Sequence, residues 1–142
     1  LRSEDDRIAL VNGVKSGLID VIVSDHTPED EESKRLPFAQ AATGSIGVET
    51  LLSLALEMYH NESLPLKKII ETLTINPAKI LKINKGSLKT GNDADICIFD
   101  LNKPWVVKAD DLKSKSKNTA IEDRKLQGKV IMTFLNGNLV YK

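Results

Sequence analysis

The sequence predicts an α/β fold in which a helical part is followed by a small β unit, with the change near Gly86. Before Gly86, apolar residues recur mainly at helical spacing, and only residues 18–23 form a continuous aliphatic stretch. After Gly86, short alternating segments and turn residues dominate. The 142 residues correspond in size to one ordinary domain.

The first two elements are a helix and a strand. Ser3 is a good N-cap for a helix whose first turn is acidic, and Gly17 is a plausible end. Residues 18–23 are rich in β-branched side chains and nearly all apolar, which is typical of a strand covered on both faces in a parallel sheet. Because a parallel strand needs parallel neighbours and this sequence offers no others, we expect the neighbours to precede Leu1.

A long connection and three helices follow. Residues 28–47 form a connection of a length that usually indicates a functional lid or a mobile segment. Apolar spacing predicts one helix over residues 48–59 and another over residues 66–73. Asn76 and Pro77 predict the start of a third helix, with Asn76 as its N-cap and Pro77 at the first helical position.

The predicted β unit consists of short strands. The segments are residues 94–99, 105–107, 130–135 and 139–141. Asn136 and Gly137 join the last two and are a strong signal for a tight hairpin turn. Cys97 lies between two isoleucines, so we expect a small buried hydrophobic residue rather than a nucleophile.

Composition excludes several classes of function. The 20 basic residues balance 20 acidic ones, whereas binding to nucleic-acid phosphates normally needs a basic excess. Aromatic residues make up 4%, which argues against base stacking. No apolar run approaches the roughly 20 residues that cross a bilayer. The single cysteine excludes an internal disulfide and suits a reducing compartment, so we expect a cytoplasmic location.

The main candidate for chemistry is Asp25, with His26 beside it, at the carboxyl end of the predicted buried strand. Catalytic groups of α/β proteins lie at that end of the strands. A carboxylate there could hold a metal or act as a general base. Asp25 could equally cap the turn before Pro28, and the spacing alone leaves both interpretations open.

A complete metal centre is not predicted from these residues. Catalytic zinc sites need about three protein ligands, and the only histidines are His26 and His60. His60 ends a predicted helix, where a solvated side chain is the expectation. The lysines between residues 113 and 129 are interleaved with acidic residues, which indicates a solvated surface.

Several blocks of the sequence resemble the dihydroorotases of the amidohydrolase superfamily. They are residues 1–7, 20–28 with an Asp-His-x-Pro pattern, 44–50, 76–81, 91–95 and 113–119. The last block is the one that distinguishes dihydroorotases from hydantoinases and allantoinases. The resemblance implies the carboxyl-terminal part of a (β/α)8 metal-dependent hydrolase barrel, followed by a small β-sandwich segment of a composite domain. Residues 1–83 would be the last barrel units and residues 84–142 the β segment.

The resemblance also implies an activity, the reversible conversion of L-dihydroorotate to N-carbamoyl-L-aspartate in pyrimidine synthesis. Asp25 would contact a zinc ion and transfer the proton. The backbone of Thr43 and Gly44 would touch the substrate. Glu29 stands where many relatives have a substrate-binding histidine, and its carboxylate would repel a dianionic substrate unless it points away.

The resemblance implies a binuclear zinc centre whose other ligands would lie before Leu1, so we expect the isolated chain to be inactive. Its partners would be the small-molecule substrate, the missing part of the barrel, and a second copy or aspartate transcarbamoylase. Exposed strand edges would favour self-association. The alternative is a non-catalytic dihydroorotase-like partner of aspartate transcarbamoylase, which the change at Glu29 motivates.

Overall fold

The computed structural model describes residues 3–61 and 63–142. The helices are α1 (Glu4–Ser16), α2 (Glu31–Lys34), α3 (Leu51–His60), α4 (Leu66–Leu73) and α5 (Ile75–Ile80). The strands are β1 (Ile96–Val106), β2 (Lys125–Leu135) and β3 (Asn138–Tyr141). They form an antiparallel sheet in the order β1-β2-β3, so the predicted α/β class is confirmed. The division at residues 83 and 84 stays a prediction.

Helix α1 begins and ends where the sequence predicts. The Ser3 hydroxyl accepts a hydrogen bond from the Asp6 N–H at 3.2 Å, and the Asp6 carboxylate accepts one from the Ser3 N–H at 3.1 Å. This reciprocal arrangement satisfies two backbone donors that have no partner within the helix. Gly17 ends the helix in the left-handed region, with a φ of 83°.

Residues 18–23 form no paired strand in the described part of the chain, and their burial by strands that precede Leu1 stays a prediction. The segment is extended, but it has no sheet partner there, and Leu18 and Val23 are 83% and 71% exposed. Strands β1, β2 and β3 pair with one another and leave no parallel neighbour for it. Only Ile19 and Ile22 pack inward, against the helices.

Hydrogen bonds attach this extended segment to α4 and α5. The Ile22 N–H donates to the Thr72 carbonyl at 3.2 Å. The Asn76 side-chain amide donates to the Asp20 carbonyl at 2.9 Å. Asn76 is therefore not the predicted N-cap, because α5 already begins at Ile75 and the Asn76 side chain binds another part of the chain.

Helix α3 lies between two hydrophobic clusters. The first contains Val14, Ala55, Leu64 and Ile69, with Val11, Ile19, Ile22, Met58, Tyr59 and Leu73 packed around it. The second contains Ile46, Val107, Leu112 and Leu126, with Leu54, Trp105 and Ile121 around it. Since Ala55 belongs to the first and Leu54 touches the second, α3 connects the helical layer to the sheet.

A buried polar junction fixes α3 against β2. The Gly128 carbonyl accepts hydrogen bonds from the Ser53 hydroxyl and, at 3.1 Å, from the Trp105 indole N–H. Gly128 has a φ of 94°, and a Cβ atom there would lie 2.4 Å from the Leu56 side chain. The close approach of strand and helix therefore requires glycine at this position.

The sheet differs from its prediction in two details. Strand β1 is continuous through both predicted segments, with irregular register between Ile98 and Phe99 and again between Asp100 and Pro104. Cys97 is exposed, so the prediction of a buried residue is wrong, although partial burial raises the pKa of its thiol.

The predicted hairpin between β2 and β3 is confirmed. Asn136 and Gly137 have φ values of 49° and 79°, as a two-residue hairpin turn of this type requires. Among the described residues, no helix combines the length and the apolar character that crossing a membrane requires.

Candidate active site

Asp25 lies at the end of the extended segment, beside a cavity of 470 Å³. The cavity is lined by Ser24, Asp25, Gly44, Ser45, Ile46, Gly47, Thr50, Leu54, Ala120 and Ile121. Asp25 is exposed and has a φ of 46°. This left-handed conformation is uncommon for a residue other than glycine, although aspartate adopts it more readily than most. The carboxylate is thus accessible to a small molecule in the cavity.

Three chain segments run side by side at this cavity. A parallel bridge joins His26 to Ser45, and a second joins Ile46 to Thr119. The Thr27 N–H donates to the Ser45 carbonyl at 3.0 Å, and the Ile46 N–H donates to the Asn118 carbonyl at 3.0 Å. The segment around residues 45–46 therefore lies between the Asp25 segment and the 113–119 block.

His26 has a structural role in this arrangement. Its Nδ1 atom accepts hydrogen bonds from the backbone N–H groups of Gly47 at 3.1 Å and Val48 at 3.4 Å. An Nδ1 atom that accepts two hydrogen bonds cannot also coordinate a metal. His26 thereby fixes the turn before α3, which begins at Leu51 rather than near residue 48.

Gly44 is tightly held. Its φ is 136°, and a Cβ atom there would lie 2.7 Å from the Thr27 carbonyl oxygen, so the position requires glycine. The Gly44 carbonyl accepts hydrogen bonds from the Lys34 ammonium at 3.0 Å and from the Asn118 side-chain amide at 3.1 Å. Thr43 precedes it with an exposed side chain and is not one of the residues lining the Asp25 cavity.

Glu29 lies in a neighbouring cleft of 600 Å³. The cleft is lined by Pro28, Glu29, Asp30, Glu31, Lys34, Lys115, Ser116, Lys117 and Asn118. The backbone of Glu29 accepts from the Ser116 hydroxyl at 2.7 Å and donates to the Asn118 side chain at 3.4 Å. The structure therefore brings Asp25 and Gly44 together at one cavity and places Glu29 in the other cleft.

Sequence reasoning missed three residues that organise this region: Lys34, Glu49 and Asn118. The Glu49 carboxylate accepts from the backbone N–H groups of Lys113 at 2.9 Å and Ser114 at 3.0 Å. The available signal was the 113–119 block, which stood out as a family resemblance, but nothing in its spacing indicated which loop it would contact. The expectation that its lysines are solvated is confirmed for Lys113, Lys115 and Lys117, whose side chains are exposed.

The described residues do not fit a complete metal centre. Within residues 3–61 and 63–142, no group of three or more histidine, cysteine, aspartate or glutamate side chains is placed to hold a metal ion. Asp25 offers one carboxylate. His60 is not the solvated residue that the sequence predicts, because its Nε2 atom is buried without a hydrogen-bond partner in the same ranges, and its ring lies 5.3 Å from that of Tyr59.

Comparison with known proteins decides the family. Residues 1–140 match the amidohydrolase family. The chain belongs to the amidohydrolase family. Dihydroorotase from Ehrlichia chaffeensis is 45% identical over 142 residues, which are 100% of this chain and 32% of the relative. Dihydroorotase from Aquifex aeolicus is 46% identical over 142 residues, again 100% of this chain and 33% of the relative. The chain thus spans about a third of the length of these curated relatives.

Solved amidohydrolase structures share the fold. L-Hydantoinase (dihydropyrimidinase) from Arthrobacter aurescens has a TM-score of 0.91 at 31% identity and covers 99% of this chain and 32% of that one. Dihydropyrimidinase from Brevibacillus agri has a TM-score of 0.93 at 22% identity, with 100% and 32% covered, and shows the fold alone. The resemblance to amidohydrolases is therefore confirmed, while the barrel and the β-sandwich stay predictions.

Proposed function

We propose that this amidohydrolase chain acts as part of a dihydroorotase, which interconverts L-dihydroorotate and N-carbamoyl-L-aspartate. The observation that carries the proposal is the identity of 45% and 46%, over the whole chain, to proteins named dihydroorotase. Hydantoinases share the fold, but the best of the solved ones compared above is 31% identical. The proposed substrate class is therefore that of the dihydroorotases, which are the more similar relatives. The proposed binding partner of the chain is this small-molecule substrate.

Within this proposal, Asp25 is the group that transfers the proton. In the hydrolytic direction, a water oxygen bonds to the ring amide carbonyl carbon, the ring C–N bond breaks, and the nitrogen gains a proton. Asp25 would take that proton from the attacking water and deliver it to the leaving nitrogen. Asp25 is exposed and lines the cavity, which supports this role, because the carboxylate must reach both the attacking water and the leaving nitrogen.

Zinc dependence belongs to the proposal for the whole enzyme. A bound zinc ion would lower the pKa of a water molecule and polarise the carbonyl group. A catalytic zinc site needs about three protein ligands, and among the described residues that line this cavity only Asp25 carries a carboxylate. A metal would therefore need further ligands from outside these residues, and we assign no step of the reaction to it.

The substrate is proposed to contact the backbone of Thr43 and Gly44 rather than the side chain of Glu29. Gly44 lines the Asp25 cavity, whereas Glu29 lines the neighbouring cleft together with three lysines. A second carboxylate inside the cavity, beside Asp25, would add to the repulsion of a dianionic substrate. The separation of Glu29 from Asp25 supports a site in which the residue at position 29 points away from the substrate.

The proposal is tested by Asp25→Asn in the longest natural polypeptide that contains this sequence. Asparagine tolerates the left-handed conformation, so the fold should be retained. We expect kcat/KM for ring opening of L-dihydroorotate to fall by about 100-fold or more, since general acid–base catalysis contributes that much. Asp20→Asn is the matched control, because Asp20 is exposed on the same segment and only its carbonyl is hydrogen bonded.

Two results would contradict the proposal. One is wild-type protein that neither opens L-dihydroorotate nor closes N-carbamoyl-L-aspartate. The other is an Asp25→Asn variant that is as active as Asp20→Asn. An inactive, metal-free wild type that copurifies with aspartate transcarbamoylase would instead favour the non-catalytic partner.

A further inference from the structure

We propose that Lys34 and Asn118 are positioning residues that hold Gly44 at the wall of the Asp25 cavity, an inference that rests on the proposed function. The two side chains converge on one atom, the Gly44 carbonyl oxygen, at 3.0 Å and 3.1 Å. We call this group of three residues the Gly44 clasp. Lys34 comes from α2 and Asn118 from the 113–119 block, so the clasp connects two distant parts of the chain to one loop.

Asn118 makes hydrogen bonds through both ends of its side-chain amide and through its backbone carbonyl. The side-chain Nδ2 donates to Gly44, and the side-chain Oδ1 accepts from the Glu29 N–H at 3.4 Å. Its backbone carbonyl accepts from the Ile46 N–H at 3.0 Å. The residue therefore binds chain on both sides of α2. An aspartate would keep the acceptor but lose the donor to Gly44.

Lys34 supplies the second donor and a positive charge. Its ammonium group donates to the Ala42 carbonyl at 2.8 Å and to the Gly44 carbonyl at 3.0 Å, and the side chain is partly buried. Hydrogen bonds from an ionised donor are stronger than neutral ones. Lys34 thus draws together two carbonyls on either side of Thr43, which fixes the curvature of the loop at the proposed substrate contact.

The position of this loop bears directly on the cavity. Gly44, Ser45, Ile46 and Gly47 line the cavity together with Ser24 and Asp25. The Thr27 carbonyl oxygen lies so close to Gly44 that a Cβ atom on Gly44 would be 2.7 Å from it. A displacement of about 1 Å in a positioning element can cost about 100-fold in rate. Since Lys34 and Asn118 contact Gly44 and not Asp25, we expect their loss to weaken substrate binding more than proton transfer.

Lys34→Met and Lys115→Met form the decisive pair in the longest natural polypeptide that contains this sequence. Both remove one positive charge from the same cleft, but only Lys34 binds Gly44. Lys34→Met is expected to raise KM for L-dihydroorotate about tenfold with kcat changed less than about threefold. Lys115→Met should leave both constants within about twofold. Lys34→Arg, which keeps charged donors, should restore at least half of the loss in KM on a logarithmic scale.

Asn118→Asp provides a second measurement that does not depend on activity. We expect faster hydrogen exchange at the backbone amides of Ile46 and Thr27 in both Asn118→Asp and Lys34→Met than in Lys115→Met, because these amides report the order of the loop. If Asn118→Asp fails to fold, Lys34→Met still decides.

The possible outcomes separate this inference from the proposed function. Wild-type protein without activity on either substrate would refute the proposed function, and the exchange rates would still test the clasp. If the wild type is active, an unchanged KM in Lys34→Met together with unchanged exchange overturns the clasp. A KM that rises equally in Lys34→Met and Lys115→Met also overturns it, because charge alone would then explain the effect.

Discussion

The three-stranded sheet and the extended segment at residues 18–25 both contain apolar stretches, but only the sheet consists of paired strands in the described part of the chain. Strands β2 and β3 are adjacent in sequence, and the two-residue turn at Asn136 and Gly137 pairs them. The extended segment has no strand neighbour within the described part of the chain. Antiparallel pairing can be completed by local sequence, whereas parallel pairing needs a partner that arrives through a long crossover.

The difference shows in the burial of aliphatic side chains. On the sheet side, Val107 is fully buried and Leu126 is 4% exposed. On the extended segment, Leu18 and Val23 are 83% and 71% exposed. The candidate site joins the two regions, because the chain following Asp25 pairs with residues that in turn pair with Thr119. The Asp25 segment is thus connected to the loop between β1 and β2.

The largest effect that tests this contrast is expected for Leu56→Ala compared with Leu18→Ala. Leu56 is fully buried between α3 and β2, and truncating a buried leucine typically costs about 2–5 kcal/mol. Leu18 is exposed, and substitutions at such positions usually change the free energy of unfolding by less than about 0.5 kcal/mol. Urea unfolding of both variants of the 142-residue protein measures the difference.

A large loss in the free energy of unfolding of Leu18→Ala would contradict this difference between a buried and an exposed leucine. A loss comparable to that of Leu56→Ala would mean that residue 18 is covered in solution, for example by a second copy of the chain. Sedimentation of the wild type and of Leu18→Ala at the same concentration distinguishes these cases, since self-association would decrease in the variant.

The next effect concerns the closest approach between strand and helix. Gly128→Ala places a methyl group 2.4 Å from the Leu56 side chain, whereas Gly91→Ala meets nothing within 4 Å. Both glycines have a positive φ, of 94° and 92°, so both variants carry similar backbone strain. The additional cost at Gly128 is expected to be about 1–3 kcal/mol, the usual range for overpacking.

Equal losses of stability in the two glycine variants would contradict that expectation. They would show that Leu56 moves aside without cost, and that the junction of Gly128 with Ser53 and Trp105 does not fix the spacing of α3 and β2. Thermal unfolding of the two variants under identical conditions is sufficient, because each serves as the control for the other's backbone strain.

The elements that the sequence predicts correctly are those governed by local rules. The capping residue Ser3, the terminating Gly17 and the turn at Asn136 and Gly137 each depend on a few neighbouring residues. The prediction for Asn76 is wrong because its side chain binds Asp20, which is 56 positions away in the sequence. The prediction for Cys97 is wrong because alternation identifies the two faces of a strand but not which face is covered.

The sequence predicts the chemical type of the candidate site but not the contacts that position its residues. Asp25 could be proposed from its place after an aliphatic stretch, since that reasoning needs only the local pattern. The contacts of Lys34 and Asn118 with Gly44 connect residues 10 and 74 positions apart, and no periodicity encodes such pairs. Nor could the sequence show that Nδ1 of His26 accepts two backbone hydrogen bonds, which leaves that nitrogen unavailable to a metal.

The smallest effect, and the one that depends on pH, is expected at the end of the sheet. The Asp95 carboxylate accepts hydrogen bonds from Lys85 at 2.6 Å and from the Asn136 N–H at 2.8 Å, and these hold its pKa below the ordinary value. A lowered pKa in the folded state stabilises the fold above the unfolded-state pKa, and the contribution is lost as the pH falls through the folded-state pKa. Asp95→Asn should therefore lower the temperature of unfolding at pH 7, and its difference from the wild type should shrink as the pH falls below the ordinary range of carboxyl pKa values. Asp93→Asn is the control: Asp93 also binds Lys85, at 2.7 Å, but lacks the contact with the turn, so its effect should be smaller and should vanish in high salt. A difference at Asp95 that persisted unchanged to pH 2 would mean that the turn is held by the shape of the side chain and not by its charge.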